Sequence, residues 1–67
     1  MSTIEQFNAE KRRITMASLM GQPRDFSKLR EIYAALPVVE EEFRYDENED
    51  DEKFWQRCQR FSQNLFK

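Results

Sequence analysis

The sequence of 67 residues contains no histidine, one cysteine, one glycine and two prolines. Histidine is the usual general base near neutral pH, and glycine-rich loops are the usual cradle for phosphate groups. Their absence predicts a protein that is not an enzyme and binds no cofactor. A lone Cys58 cannot form an internal disulfide, and one sulfur with carboxylates is a poor structural zinc site, so we expect no metal either.

Long apolar runs are also missing. Charged residues between Glu5 and Arg13 interrupt the N-terminal segment, so no export signal is expected there. No stretch approaches the ~20 apolar residues that a membrane-spanning helix needs. With one unpaired cysteine, which suits a reducing compartment, this pattern predicts a cytoplasmic protein.

Aromatic residues make up 13% of the chain and charged residues 36%. Each aromatic ring can bury about 150–250 Å², which is enough to build a small core. Few glycines and prolines among many charged residues favour helices joined by short turns. We therefore predict a single all-α domain over residues 1–67, a three-helix unit in which a C-terminal helix follows a helix hairpin.

The first helix is predicted over residues 3–20. Ser2 or Thr3, with Glu5 or Gln6 three residues later, forms a capping-box pattern at its start. Apolar residues then recur on one side of a 3.6-residue period, at Ile4, Phe7, Ile14 and Ala17. This pattern indicates an amphipathic helix with one buried side.

A short joint separates the first two helices. Gly21 stands where a left-handed C-terminal cap is needed, and Pro23 prevents continuation. Asp25 can accept the first amides of the second helix. The apolar stripe of that helix is Phe26, Leu29, Ile32, Tyr33 and Leu36. A joint this short predicts that the two helices pack as a hairpin.

Pro37 either ends the second helix or bends it, because it removes a backbone donor and crowds the preceding turn. Val39 and Phe43 continue the helical spacing, which favours a bent continuation to about Arg44. A strand from Val39 to Tyr45 is the alternative, since its apolar residues also share a parity.

An acidic connector over residues 46–51 precedes the predicted third helix, residues 52–66. Asp50 or Asp51 can cap that helix, and their charges suit its positive end. Its apolar seam is Phe54, Cys58, Phe61 and Leu65. The buried position of Cys58 on this seam indicates a small hydrophobe and not a nucleophile.

The connector also invites comparison with a calcium-binding EF-hand loop. Asp46, Asn48 and Asp50 occupy the first, third and fifth positions. The sixth should be glycine and is Asp51, while the twelfth should be glutamate and is Arg57. The sequence therefore favours a solvated linker over a calcium site.

Large apolar side chains exceed what a core this small can bury, which predicts an interface. The expected partner-binding residues are Trp55, Phe66, Arg57, Arg60, Met16, Leu19 and Met20. They predict a small protein-binding module, either an adaptor, an inhibitor or a subunit of a complex, and we expect homodimer formation to accompany this function. The other explanation for the surplus is a second contact of the first helix within the monomer.

Two alternative functions stay open. A nucleic-acid regulator would use Arg12, Arg13, Arg24, Lys28 and Arg30, but residues 1–36 carry only six basic against four acidic residues. The isoelectric point of about 5.1 also disfavours this function. In the other alternative, the acidic segment imitates phosphates or docks on a basic partner, through Asp46, Glu47, Glu49, Asp50 and Asp51.

Overall fold

The computed structural model describes residues 2–65. Within that range the chain forms three α-helices and no strand: α1 (Thr3–Leu19), α2 (Ser27–Ala34) and α3 (Asp51–Leu65). A short 3-10 helix, Glu41–Phe43, lies between α2 and α3. The all-α prediction is confirmed. None of the helices in residues 2–65 combines the length and the apolar character that a bilayer crossing requires.

The contacts of the chain divide into two compact units, Met1–Pro37 and Val38–Lys67. The first unit holds α1 and α2, and the second holds the 3-10 helix and α3. The single domain expected over residues 1–67 stays a prediction. The two units are described separately below.

The first helix begins with the expected capping box. The amide of Glu5 donates to Oγ of Ser2 at 3.1 Å, and the hydroxyl of Ser2 donates to Oε1 of Glu5 at 3.2 Å. This reciprocal pair satisfies a backbone donor that the first turn of a helix leaves without an intrahelical acceptor. The predicted start of the helix is confirmed.

The end of α1 is fixed by a glycine in the left-handed conformation. Gly21 has a φ of 77°, which non-glycine residues rarely adopt. Its amide donates to the carbonyl of Ser18 at 3.0 Å, and the amide of Gln22 donates to the carbonyl of Ala17 at 2.9 Å. These two bonds form a Schellman motif, as the position of the glycine predicts.

The second helix packs on α1 through aromatic and aliphatic side chains. Oδ1 of Asp25 accepts the amide of Ser27 at 3.0 Å, and this bond lowers the pKa of Asp25. Leu29 and Tyr33 are buried, and the Tyr33 ring lies 5.7 Å from the Phe7 ring between centroids. Asp25 accepts an amide at the start of α2, as predicted, although Phe26 occupies the N-cap position and has no side-chain capping bond. The predicted pairing of the two helices is observed.

The second helix ends at Ala34, so its predicted bent continuation to about Arg44 is wrong. The alternative strand from Val39 to Tyr45 does not form either, and that fully described segment holds only the 3-10 helix Glu41–Phe43. Pro37 explains the break, because it disfavours helical backbone at the residue before it and has no amide to donate. The apolar spacing beyond Pro37 did not outweigh this backbone restriction.

The third helix begins one residue earlier than predicted, at Asp51, and its described part extends to Leu65. Oδ1 of Asp50 accepts the amide of Lys53 at 2.8 Å, which makes Asp50 the N-terminal cap. The sequence predicted Asp50 or Asp51 as the cap, and in the structure the cap is Asp50.

Aromatic pairs form the core of the second unit. The Phe43 and Phe61 rings meet edge to face with centroids 5.9 Å apart, and the Tyr45 and Phe54 rings do the same at 5.9 Å. Cys58 lies between the two phenylalanines of the helix and is completely buried. Leu65 departs from the predicted seam, since it is 40% exposed.

A buried carboxylate interrupts the apolar side of α1. Glu10 is 7% exposed and follows Phe7 by three residues. Arg13 donates to both of its oxygens, from Nε at 2.8 Å and from Nη2 at 2.7 Å, and Nη2 also bonds the carbonyl of Asp25 at 3.3 Å. The hydrogen bonds from Arg13 hold the pKa of Glu10 below its ordinary value of 4.5, although burial opposes them.

We predict that acid weakens folding through Glu10. Because its pKa is lower in the folded chain than in the unfolded chain, the charged carboxylate stabilises the fold above pH 4.5. That stabilisation is lost as the pH falls through the depressed folded value. Urea unfolding followed by circular dichroism should therefore show a gap in unfolding free energy between wild type and Glu10→Gln that is large at neutral pH and shrinks in acid.

The matched control is Glu31→Gln, which removes one exposed carboxylate from α2. Its gap to wild type should stay small at every pH, because Glu31 lies in solvent. A gap for Glu10→Gln that does not change with pH would contradict the stabilising role of the charged carboxylate.

Candidate protein-binding surface

Three large apolar side chains are exposed at the C-terminal end of α1. Met16 is 57% exposed, Leu19 77% and Met20 69%. Residues spaced by three and four positions are neighbours on a helix surface, so these side chains form one group. We name it the methionine patch. All three residues belong to the predicted partner-binding set.

The patch faces outward because the helical period places it there. The buried residues of α1 are Phe7, Glu10 and Ile14. Met16 follows Ile14 by two positions, about 200° around the helix, and so points away from the buried side. The expectation that the methionines turn away from the core is confirmed by their exposure.

An exposed arginine borders the patch at its N-terminal edge. From Lys11 to Arg24 the sequence holds four basic residues and no aspartate or glutamate, with Glu10 and Asp25 directly outside this range. Arg12 is exposed and lies four residues before Met16, on the same side of α1. The patch is therefore apolar with a positive border at its N-terminal edge.

Two of the five residues predicted to contact nucleic acid bond or stack within the first unit, and a third is partly covered. Arg13 binds the carboxylate of Glu10, and the guanidinium of Arg24 lies 5.5 Å from the centroid of the Phe26 ring. Arg30 is half-buried. The remaining two, Arg12 and Lys28, are exposed. The five side chains therefore do not present one uniform basic surface.

The predicted interface residues of α3 have different surroundings. Trp55 is half-buried, so part of its ring area is already covered. Arg60 is exposed. Phe66 lies outside the described residues. On the described part of α3, the large aromatic side chain is less accessible than the methionine patch on α1.

Arg57, which stays a predicted binding residue, makes three hydrogen bonds within the second unit. Its Nε and Nη2 donate to the two carboxylate oxygens of Glu49 at 2.8 and 3.0 Å, and its Nη1 donates to the carbonyl of Glu42 at 2.6 Å. The side chains of Arg57 and Glu49 are 16% and 7% exposed. This arginine therefore joins α3 to the two segments that precede it.

The sequence alone did not predict the ion pair between Arg57 and Glu49. The two paired residues are eight positions apart and lie on either side of the cap at Asp50, so no helical spacing connects them. A glutamate at position 49 looked like one more solvated charge in an acidic run. Only the turn that precedes α3 directs its carboxylate inward.

The other acidic candidates mostly support backbone. Oδ1 of Asp46 accepts the amide two residues later at 3.0 Å, and Asp50 caps α3. Glu47 and Asp51 are exposed, whereas Glu49 is turned inward. Among residues 2–65, no group of three or more potential metal-ligating side chains is arranged to hold an ion.

Comparisons with protein-family models, with curated proteins and with solved structures find no match for this chain. The function proposed below therefore rests on the exposed side chains and charges of the described residues.

We predict that Arg57→Ala destabilises the chain by about 3 kcal/mol, because it leaves the buried Glu49 carboxylate without its cation. That loss is most of the ~3–5 kcal/mol that a core of this size supplies. Arg57→Lys should recover only part of it, since an ammonium group cannot donate the same planar pair of bonds. Urea unfolding followed by circular dichroism measures all of these variants.

Arg60→Ala is the matched control, because it removes an exposed arginine from the same helix. A change of about 0.5 kcal/mol or less is expected for it. Equal unfolding free energies for the alanine variants at positions 57 and 60 would show that the internal tie contributes no stability.

Proposed function

We propose that this chain is a small, non-enzymatic, protein-binding module that docks a partner through the methionine patch. The supporting observation is the exposure of three neighbouring apolar side chains, Met16, Leu19 and Met20, by 57–77%. Contiguous apolar groups on the surface of a water-soluble chain usually mark an interface. Such a module serves as an adaptor, as an inhibitor or as a small subunit of a complex.

The chemistry of the patch suits protein recognition. Methionine is unbranched and polarizable, so Met16 and Met20 can adapt their shape to an apolar partner surface. Leu19 between them adds a branched side chain that can enter a pocket. The patch therefore supplies adaptable contact area without demanding a rigid match.

The backbone beneath the methionine patch is already ordered in the unbound chain. Gly21 closes the end of α1 through the Schellman motif, and Met20 occupies the capping position just before it. Because the backbone beneath the patch is held by hydrogen bonds, less conformational entropy is lost when a partner docks. This preorganisation favours a binding role for the end of the helix.

Neither alternative function has equal support. A nucleic-acid site would draw on Arg13, whose charge is already matched by Glu10. An acidic dock would draw on Glu49, whose carboxylate is bonded by Arg57. Both alternatives lose part of the charge on which they depend, whereas the methionine patch keeps its exposed area.

We also propose that the module works in the cytoplasm. Its single cysteine, Cys58, is buried in the second unit and shares no disulfide with another residue of the chain. Small secreted domains of this length usually depend on several disulfides, and this chain has one cysteine in total.

We predict that Leu19→Ser weakens binding of the partner at least about tenfold, because a buried leucine contributes roughly 1.5–3 kcal/mol. Folding should be unaffected, since Leu19 is 77% exposed in the chain alone. Partners captured from the native cells by wild type and variant, compared by quantitative mass spectrometry, measure the effect. Thermal unfolding of the purified proteins checks the fold.

Val39→Ser is the matched control, because Val39 is 78% exposed but belongs to the second unit. It should retain the partners that wild type captures. Equal recovery of the same partners by the variants at positions 19 and 39 would contradict docking through the methionine patch.

A further inference from the structure

We propose that the occupant of the methionine patch is an acidic amphipathic helix of a partner protein. This inference rests on the proposed function and names the class of partner. Two properties carry it: the helical spacing of the exposed apolar residues and the exposed cation of Arg12 beside them.

The spacing indicates the shape of the partner. Met16, Leu19 and Met20 form a ridge of the kind that side chains three and four positions apart make on any helix. A second helix with apolar residues at the same intervals can place its own ridges beside this one. A helical partner therefore covers the patch with few unsatisfied backbone groups.

The charge beside the patch indicates which charged residues the partner helix carries next to its apolar residues. Arg12 is exposed one turn before Met16, whereas Arg13 is paired with Glu10 and the guanidinium of Arg24 lies over the Phe26 ring. Arg12 is therefore the exposed cation beside the patch. A carboxylate on the partner near Arg12 would pair with it and guide association. A lysine or arginine at that place would be repelled, so the charge favours acidic partners over basic ones.

The orientation of α1 adds a second constraint. The last turn of the helix contains no basic residue, and its carbonyl end carries partial negative charge. Acidic groups of the partner therefore belong near Arg12, while apolar groups belong over Leu19 and Met20. A bound helix must match this distribution of charge and apolar surface along α1.

A second copy of the chain offers no carboxylate to Arg12. In a two-fold dimer the same surface meets itself, and residues 11–24, which hold the patch, contain no acidic side chain. A partner with carboxylates beside its apolar residues therefore complements Arg12 better than a second copy does.

An anionic membrane also fits poorly. Helices that bind a membrane surface rely on several basic residues and a broad apolar face, whereas one exposed arginine, Arg12, accompanies three apolar side chains here.

Selection from a displayed library tests the inference. The full chain is the bait, and the probes are peptides of about 18 residues, long enough to form a helix, with one face randomised over all amino acids. We expect enriched peptides to combine leucine, phenylalanine or methionine at helical spacing with more aspartate and glutamate than lysine and arginine. The strongest peptide, once synthesised, should bind wild type, and about 0.5 M salt should weaken it.

Substitutions at Leu19 and Arg12 test whether the peptide contacts the patch and its charged edge. Leu19→Ser should reduce the affinity of that peptide about tenfold, and Arg12→Glu should reduce it at least about threefold. Arg12→Gln should give an intermediate loss, which separates charge from a folding defect, and circular dichroism verifies that each variant folds. Val39→Ser should bind the peptide as wild type does.

Four outcomes would overturn the inference. Enriched peptides that need Leu19 but show no acidic preference would leave the proposed function standing and refute the acidic partner. Enrichment that never depends on Leu19 would refute both. Binding to phosphatidylserine vesicles that Leu19→Ser abolishes would assign the patch to membranes. A dimer in sedimentation that Leu19→Ser dissociates would assign it to a second copy.

Discussion

Each unit of this chain depends on one arginine that bonds a buried carboxylate and a backbone carbonyl outside its own helix. Arg13 binds Glu10 in the first unit, and Arg57 binds Glu49 in the second. The second bonds of these guanidinium groups reach the carbonyls of Asp25 and Glu42. A chain with a single cysteine has no internal disulfide to fix its loops. The Arg57–Glu49 pair, whose side chains are 16% and 7% exposed, holds one geometry because leaving either buried charge unpaired is costly. In the first unit Glu10 is the buried partner, while the side chain of Arg13 is half exposed.

The buried side of α1 determines which of its side chains remain exposed on the surface. Because the inner side of α1 is occupied by Phe7, Glu10 and Ile14, the helical period leaves Met16 and Met20 on the outer side. The glycine cap then stops the helix directly after them. An exposed apolar surface with Arg12 at its N-terminal edge results from these constraints.

Local signals in the sequence predicted local structure well. Ser2, Gly21 and Asp50 each act on amides or carbonyls within four residues, and each caps a helix as expected. The predicted bent helix beyond Pro37 is wrong, because the backbone restriction imposed by proline outweighs the apolar periodicity that follows it. The internal role of Arg57 was missed for a different reason. A hydrogen bond to a carboxylate eight residues away depends on how the intervening turn folds, and no residue pattern reports that geometry.

Exposure of Met16 and Met20 in the chain alone, followed by their burial under a partner, is tested most directly by methyl NMR. Signals of methyl-labelled methionine and isoleucine would be recorded with a soluble paramagnetic agent, first for the purified chain and then for its complex with a captured partner. We expect strong broadening of Met16 and Met20 in the chain alone, protection in the complex, and protection of the buried Ile14 in both. Methionine methyls that are already shielded in the chain alone, or that stay accessible in the complex, would contradict the methionine patch as the binding surface.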